Sequence, residues 1–270
     1  MAGGVKIIVT TTLRPTPAEE AAALEASGRW GLPYAGRGGR AITRTVAAAQ
    51  ADGALVIATA KVVLAAGGVE QAWSPGMGAL RLHRLVSSRG KAPDPTAHDP
   101  FLDAAGIQRG DAILDCTLGL AADALVAAAA AGPTGRVVGL ESSLPLAAWT
   151  GEGLQRFPEE AARRIEVKHA EHAAFLAAAP DRSFDVVLFD PMFRHARAEP
   201  GGFDVVRRFA DPRPLTREAL EQARRVARRW VLVKDGAPGW DLTRLGLTPM
   251  PSARGAHRYY ARVPAVTPGR

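Results

Sequence analysis

Hydrophobic positions fall in short runs, with stretches of helical period between them. Residues 5–11 (VKIIVTT) form a continuous β-branched run of the kind a buried strand needs. Pro15 and Pro17 break it, residues 18–27 are helix-prone, and Gly28 stands where it would end that helix. Residues 54–60 and 61–66 are two further runs of strand character. Gly67-Gly68 then turns the chain, and residues 69–73 extend the pattern. These signals predict a small α/β domain over residues 1–74, a possible substrate-recognition unit, with Ser74-Pro75-Gly76-Met77-Gly78 as its boundary.

Beyond the boundary, a short helix over residues 79–86 and a Pro-rich polar loop over 87–100 lead to a helical turn at 101–105. From residue 111 the rhythm alternates. Strands at 112–116, 136–140, 164–168 and 185–189 are separated by helices at 123–131, 144–154 and 173–178. A long loop follows. Residues 217–229 (REALEQARRVARR) then place Leu220, Ala223, Val226 and Ala227 on one side of a predicted helix, and strands at 230–234 and 257–263 complete the series. Strands separated by helices predict an α/β domain over residues 75–270, a Rossmann-like sheet with helices on both faces. No internal repeat is visible.

Composition narrows the class. The chain has 270 residues, 47% hydrophobic and 23% charged, enough to bury a core and too apolar for a disordered chain. Its single cysteine, Cys116, excludes a disulfide framework and reads as a small buried hydrophobe. No apolar run approaches the roughly 18 residues of a membrane span, and the first residues lack the apolar stretch of a secretory signal. A soluble cytoplasmic protein is expected. The net charge of +7 owes much to arginines 207, 208, 213, 217, 224, 225, 228 and 229. That excess is compatible with a nucleic-acid partner and equally with an Arg-, Ala- and Gly-rich coding bias. Taken alone, the 224–229 cluster reads as a solvated helix face.

Candidate chemistry sits at strand ends. Asp115, Glu141 and Asp190 each end or follow a predicted strand, and open α/β sheets bind ligands outside those ends, where strand order switches. After Asp115 the chain enters a small-residue turn, Cys116-Thr117-Leu118-Gly119-Leu120-Ala121-Ala122, and then a helix opening at Asp123. Such a turn lets a ligand approach the backbone beside free N–H groups. It also fits a plain packing turn with Asp123 as cap. Glu141 suits the two hydroxyls of a ribose, or an ordinary surface position. A dinucleotide loop needs G-x-G-x-x-G, and Ala121 stands where its second glycine belongs. Asp190-Pro191-Met192-Phe193 is the most informative word. An exocyclic amine on a nucleobase is a poor nucleophile because its lone pair is delocalised into the ring. A carboxylate and the Pro191 carbonyl can accept its two N–H groups and aim the lone pair, and Phe193 can stack the base. Amino-methyltransferases carry (Asp/Asn)-Pro-x-(aromatic) at this point. The plainer reading is an Asp-Pro turn with Phe193 in the core.

Residues 80–263 resemble the class I S-adenosylmethionine-dependent methyltransferases, and among them the RsmJ-type 16S ribosomal RNA guanine-N2 methyltransferases. The resemblance rests on Asp115-Cys116-Thr117-Leu118-Gly119-Leu120-Ala121-Ala122-Asp123-Ala124, similar to the family's D-A-T-A/L-G-L-G-x-D-A, and on Asp190-Pro191-Met192-Phe193, similar to its D-P-M-F-P. Weaker echoes are His169-Ala170-Glu171-His172, Val231-Leu232-Val233-Lys234 and His257-Arg258-Tyr259-Tyr260. The resemblance implies S-adenosyl-L-methionine as cofactor and S-adenosylhomocysteine as product. It implies Asp115, Gly119, Ala122 and Asp123 around the cofactor loop, Glu141 and Ser142 at the ribose, and Glu171 and His172 beside the adenine. Asp190 falls between cofactor and target amine, with Pro191 and Phe193 completing the catalytic set. Met192, Arg194 and Lys234 fall toward the substrate, Lys234 against RNA phosphate or the base; His195 and Arg197 follow in the target loop. Ribosomal RNA or the small ribosomal subunit is the implied partner, with no metal and no membrane. Ala121 and Arg194 depart from the family's glycine and proline, and Glu171-His172 from its small hydroxyl residues. Three other readings stand beside this one: methylation of a different amine, in DNA, protein or a small molecule; a non-catalytic RNA-binding or ribosome-assembly protein on the same fold; and a dinucleotide-dependent oxidoreductase, disfavoured by the missing glycines.

Overall fold

The computed structural model describes residues 5–87, 99–191, 204–251 and 257–267. In chain order its elements are β1 (Ile7–Thr11), α1 (Pro17–Trp30), α2 (Ile42–Ala48), β2 (Gly53–Ile57), β3 (Val62–Ala66), β4 (Val69–Ala72), α3 (Met77–Ser87), α4 (Pro100–Ala105), β5 (Ala112–Asp115), α5 (Ala122–Ala131), β6 (Arg136–Glu141), α6 (Leu144–Arg156), a 3-10 turn (Glu160–Arg164), β7 (Ile165–His169), α7 (His172–Ala178), β8 (Phe184–Phe189), α8 (Asp204–Phe209), α9 (Arg217–Val226), β9 (Ala227–Gly236), α10 (Trp240–Leu245) and β10 (Arg258–Pro264). The Pro-rich loop expected over 87–100 lies almost wholly outside the described residues.

The chain forms two compact units. The first takes in Met1–Ser74 together with Ser143–Pro158 and Pro200–Ala210, two pieces that a single cut after residue 74 would give to the second. Its sheet runs β1-β2-β3-β4, with β1 and β2 parallel and the other pairs antiparallel. Gly67 and Gly68, both at positive φ (58° and 81°), make the two-residue turn that joins β3 to β4. A capping box opens α1. Thr16 Oγ1 accepts the Glu19 N–H at 3.2 Å, and Glu19 Oε2 accepts the Thr16 N–H at 3.1 Å. This helix runs through Gly28 and ends at Gly31 (φ 63°), so the stop comes one turn later than the sequence predicts. Ile7, Ile8, Leu55, Ile57 and Leu64 fill the core with Trp149 of α6, whose Nε1 donates to the Val62 carbonyl at 3.2 Å. Glu152, one turn further along α6, is buried. It accepts Arg29 at 2.5 Å and Trp30 Nε1 at 2.9 Å on one oxygen, and Arg156 at 2.9 Å on the other.

The second unit is built on a six-stranded sheet of order β10-β9-β8-β5-β6-β7, parallel except for β10. From β5 the chain builds outward through β6 and β7, then returns to lay β8 on the other side of β5. The order of strands switches there, as an α/β dinucleotide-type sheet requires. The core is the apolar inner layer one expects of buried parallel strands: Leu114, Leu140, Val187, Phe189, Val231 and Val233, covered by Leu220 and Val226 of α9.

One sequence expectation fails here. The amphipathic period through residue 229 predicts a longer helix, yet α9 stops at Val226 and Ala227 is already extended. Sheet pairing overrides the period, because Ala227 sits in register with Phe184. Nor is the arginine cluster a solvated face. Arg225 reaches the Ala179 and Leu176 carbonyls and pairs with Asp181; Arg228 holds the Arg182 carbonyl and Asp185. Arg229 pairs with Asp111 at 2.5 Å and lies against the Trp230 ring, and Arg224 bonds Glu221 and the Pro264 carbonyl. These cations staple α7, α9, β9 and their loops together.

Candidate active site

Three backbone–side-chain bonds shape the crevice at the switch of strand order. Asp115, the last residue of β5, accepts the Thr117 N–H on Oδ1 at 3.0 Å. Thr117 in turn accepts the Asp190 N–H on its hydroxyl at 2.6 Å, locking the start of the post-β8 loop to the post-β5 loop. Gly119 (φ 51°) donates its N–H to Glu141 Oε2 at 3.1 Å, so the tip of the first loop hangs on the end of β6. The loop can run so close to β6 because residue 139 is glycine: a Cβ there would lie 2.5 Å from Leu118 Cδ1. Ala121 then takes a left-handed conformation (φ 63°) at the entry to α5. A glycine would take that conformation freely; an alanine holds it at a cost of about 1 kcal/mol.

Behind these loops runs a buried chain of alternating charge. Lys234, near the end of β9 and 8% exposed, donates to Asp123 Oδ2 at 2.8 Å and to Asp190 Oδ2 at 2.5 Å. Arg81, from α3, donates to Asp123 Oδ1 at 2.5 Å and grips Asp99 with two bonds, at 2.8 and 3.0 Å. Burial pushes the Asp123 carboxyl up, but Lys234 and Arg81 outweigh it and hold it below the usual carboxylate range. Burial would lower the Lys234 ammonium, yet its two aspartates keep it well above its ordinary value. Asp190 stays raised, because burial outweighs the pull of Lys234. Asp115 is pushed up to about 7, mainly by burial against the Thr117 N–H that opposes it, with Asp123 and Asp190 adding repulsion. Among the described residues no group of three or more carboxylates, histidines or cysteines is arranged to hold a metal ion.

A second cluster flanks the first at the ends of β6 and β7. Ser142 Oγ meets Asp211 Oδ2 at 3.4 Å, and Arg213 spans Asp211 (2.5 Å) and Glu171 (2.7 Å). His172 lies edge-on to Phe189, ring centroids 5.5 Å apart, and burial lowers its pKa.

The crevice therefore gathers Asp115, Gly119, Asp123, Glu141 and Asp190 at the β5–β6–β8 ends, with Ser142, Glu171 and His172 in the flanking cluster. Ala122 stands at the first turn of α5, where Gly78 of α3 packs so closely that a Cβ on it would lie 2.7 Å from the Ala122 Cα. Pro191 is half-buried beside Asp190. Two residues stand differently from their expected roles. Lys234 does not face a substrate phosphate; it is buried between two carboxylates. Both oxygens of Asp123 are taken by cations. Met192, Phe193, Arg194, His195 and Arg197 lie outside the described residues. Sequence motifs single out neither Arg81 nor Asp99, and Thr117 and Arg213 enter the sequence reading only within the loop word and the basic excess. Thr117 had a signal in the loop word itself, whereas the ion pairs of the other three join residues far apart in the chain or fall outside any motif. Cys116 is buried, as read.

No protein-family model matches the chain. Among solved structures, the S-adenosylmethionine-dependent methyltransferase NGO1261 from Neisseria gonorrhoeae superposes with a TM-score of 0.59 over 96% of both chains, at 18% identity. Its likeness establishes the Rossmann-like class I methyltransferase fold. No helix among the described residues is long and apolar enough to cross a membrane. The chain is also 32% identical over 235 residues to YpiP of Bacillus subtilis, itself uncharacterized, covering 84% of this chain and 88% of that protein. With a third of its residues identical across nearly all of that relative, the chain belongs to the YpiP family.

Proposed function

We propose that the protein is an S-adenosylmethionine-dependent methyltransferase acting on an exocyclic amine, with guanine N2 of small-subunit ribosomal RNA as the target the sequence resemblance favours. One observation carries the reading: the carboxylate of Asp190, followed by Pro191, stands at the strand-order switch with Oδ2 held by Lys234, beside a loop suspended from Glu141. The residues present fit the cofactor. At Gly119 the nearest atom to the place of a Cβ, its chain neighbours aside, is the Thr117 carbonyl oxygen at 4.0 Å among the described residues. Glu141 stands where ribose hydroxyls bind in such sheets, and the buried acids outnumber the cations around them, which favours a cationic ligand.

When bound, the cofactor supplies an activated methyl group on a sulfonium, needing no further electrophilic help. The chain's task is then alignment. Asp190 and the Pro191 carbonyl accept hydrogen bonds from the two amine N–H groups, directing the nitrogen lone pair along the line of transfer. The Asp190 carboxylate would stabilise the positive charge that the nitrogen gains as it takes the methyl group, and it could then take the proton that the nitrogen releases. Glu141 and the Thr117–Gly119 loop fix the donor's position.

Calorimetric titration with S-adenosylhomocysteine tests the cofactor, and tritiated methyl transfer to unmethylated small-subunit RNA tests the target. Micromolar binding with label in guanine N2 supports both parts. Binding with label in another amine redirects the substrate. RNA binding without cofactor binding supports the non-catalytic alternative.

A further inference from the structure

The buried lysine stands between two carboxylates of the crevice, and that geometry supplies it with a role other than meeting a phosphate. Resting on the amine-methylation reading, we propose that Lys234 is a positioning residue: its ammonium holds Oδ2 of Asp190 and leaves Oδ1 to meet the target amine, while Arg81, acting from behind through Asp123, fixes Lys234. Asp190 has two anchors. Its backbone is tied to Thr117, and its side chain is tied to Lys234. Oδ1 has no partner among the described residues, and the side chain is 34% exposed, against 11% for Lys234. One oxygen is thus held and the other offered. Lys234 itself has little freedom, because its second bond goes to Asp123, whose remaining oxygen is held by Arg81, which is in turn gripped by Asp99. Three elements and three loops contribute to this arrangement, so the carboxylate plane is set by the fold rather than by the substrate.

The charges make the same point. Facing Asp190 are Asp115 from β5 and Asp123 from α5, both repelling, and Lys234 from β9 and Arg258 from β10, both attracting. Tyr260 stands opposite Lys234 in the β9–β10 register. Without the ammonium, burial and two neighbouring acids favour the protonated form of Asp190. A neutral carboxylic acid is a poor acceptor for an amine N–H and gives no stabilisation to a positive nitrogen.

The test is the titration of Asp190 itself, read from carbon-13 carboxyl resonances of aspartate-labelled full-length protein. The signal is identified by its loss in Asp190→Asn. Lys234→Met should raise the midpoint by about one pH unit or more, and Lys234→Arg should return most of that shift. Arg81→Met should raise it by less. The same variants, assayed with tritiated S-adenosylmethionine on unmethylated small-subunit RNA, should show an alkaline-shifted rate profile for Lys234→Met, with S-adenosylhomocysteine affinity within about twofold of the parent. An unmoved Asp190 midpoint in Lys234→Met overturns the proposal, whatever the activity. If that variant does not fold, an unmoved midpoint in Arg81→Met overturns it instead. Failure of the parent protein to bind S-adenosylhomocysteine or transfer methyl defeats the methylation reading separately, and the Asp190 titration still decides the role of Lys234.

Discussion

Each unit buries acidic groups, and they are served very differently. Glu152 in the first unit is 1% exposed and meets two guanidinium groups and an indole N–H; both of its oxygens are taken and its own charge is more than balanced. The second unit buries Asp115, Asp123 and Asp190 in one crevice, where Lys234 and Arg81 are the cations that ion-pair with them among the described residues, Arg258 acts on Asp190 only through its charge, and Arg81 is shared with Asp99. A buried acid with a complete set of partners is a structural joint. A cluster with a surplus of acid stores unfavourable electrostatics, and such surpluses persist where a ligand relieves them.

The largest effect expected from this contrast is on rate. Asp190→Ala should lower methyl transfer by about 10²–10⁴-fold while S-adenosylhomocysteine still binds. An equal loss of affinity would make Asp190 a joint like Glu152. Conversely, Glu152→Ala should destabilise the first unit by about 2–4 kcal/mol in denaturant melts, since it strands the Trp30 N–H and two cations. A loss below about 0.5 kcal/mol would remove its structural role.

Asp115 sharpens the comparison through pH. Burial pushes its carboxyl from the ordinary 3.8 of an aspartate in an unfolded chain up to about 7 in the folded unit. Between those values the folded state keeps a proton the unfolded state has lost, so stability falls as pH rises from about 4 to about 7 and stays low above. Asp115→Asn keeps the acceptor for Thr117 and should remove this slope, gaining about 2–4 kcal/mol at pH 8 relative to the parent. A parental slope that survives in the variant would assign the strain elsewhere. The smallest effect is on ligand affinity: Glu141→Gln should weaken S-adenosylhomocysteine binding about 10–100-fold by calorimetry, with little change in melting temperature.

Much of the second unit was legible because its strands are short, apolar and punctuated. The β5, β6 and β8 strands and the acids at their ends follow from local pattern, and the resemblance extended that reading to the crevice. What escaped has physical causes. α2 opens at Ala41 with no side-chain cap and buries only Thr45, so it left no start signal. α9 lost its last turn to pairing with β8, a partner 43 residues upstream at Phe184↔Ala227, which no local period encodes. The arginines of residues 224–229 read as solvent-facing, because their carbonyl and carboxylate partners lie in other elements. The same limit hid the ion chain: Arg81 to Asp123 and Asp123 to Lys234 are contacts between residues 42 and 111 positions apart.

The make-up of the first unit has a consequence for how the chain is born. Its sheet is complete once residue 72 has been made, but the indole of Trp149 and the carboxylate of Glu152 arrive with α6, and α8 follows at Asp204–Phe209. At ribosomal speeds of roughly 5–20 residues per second, the nascent sheet waits on the order of ten seconds for the pieces that cover it. Through that interval its apolar surface is a natural client for chaperones. A chain released early, after Ser74, would keep α1 against its sheet but lack the Trp149 indole and the Glu152 carboxylate that complete the unit.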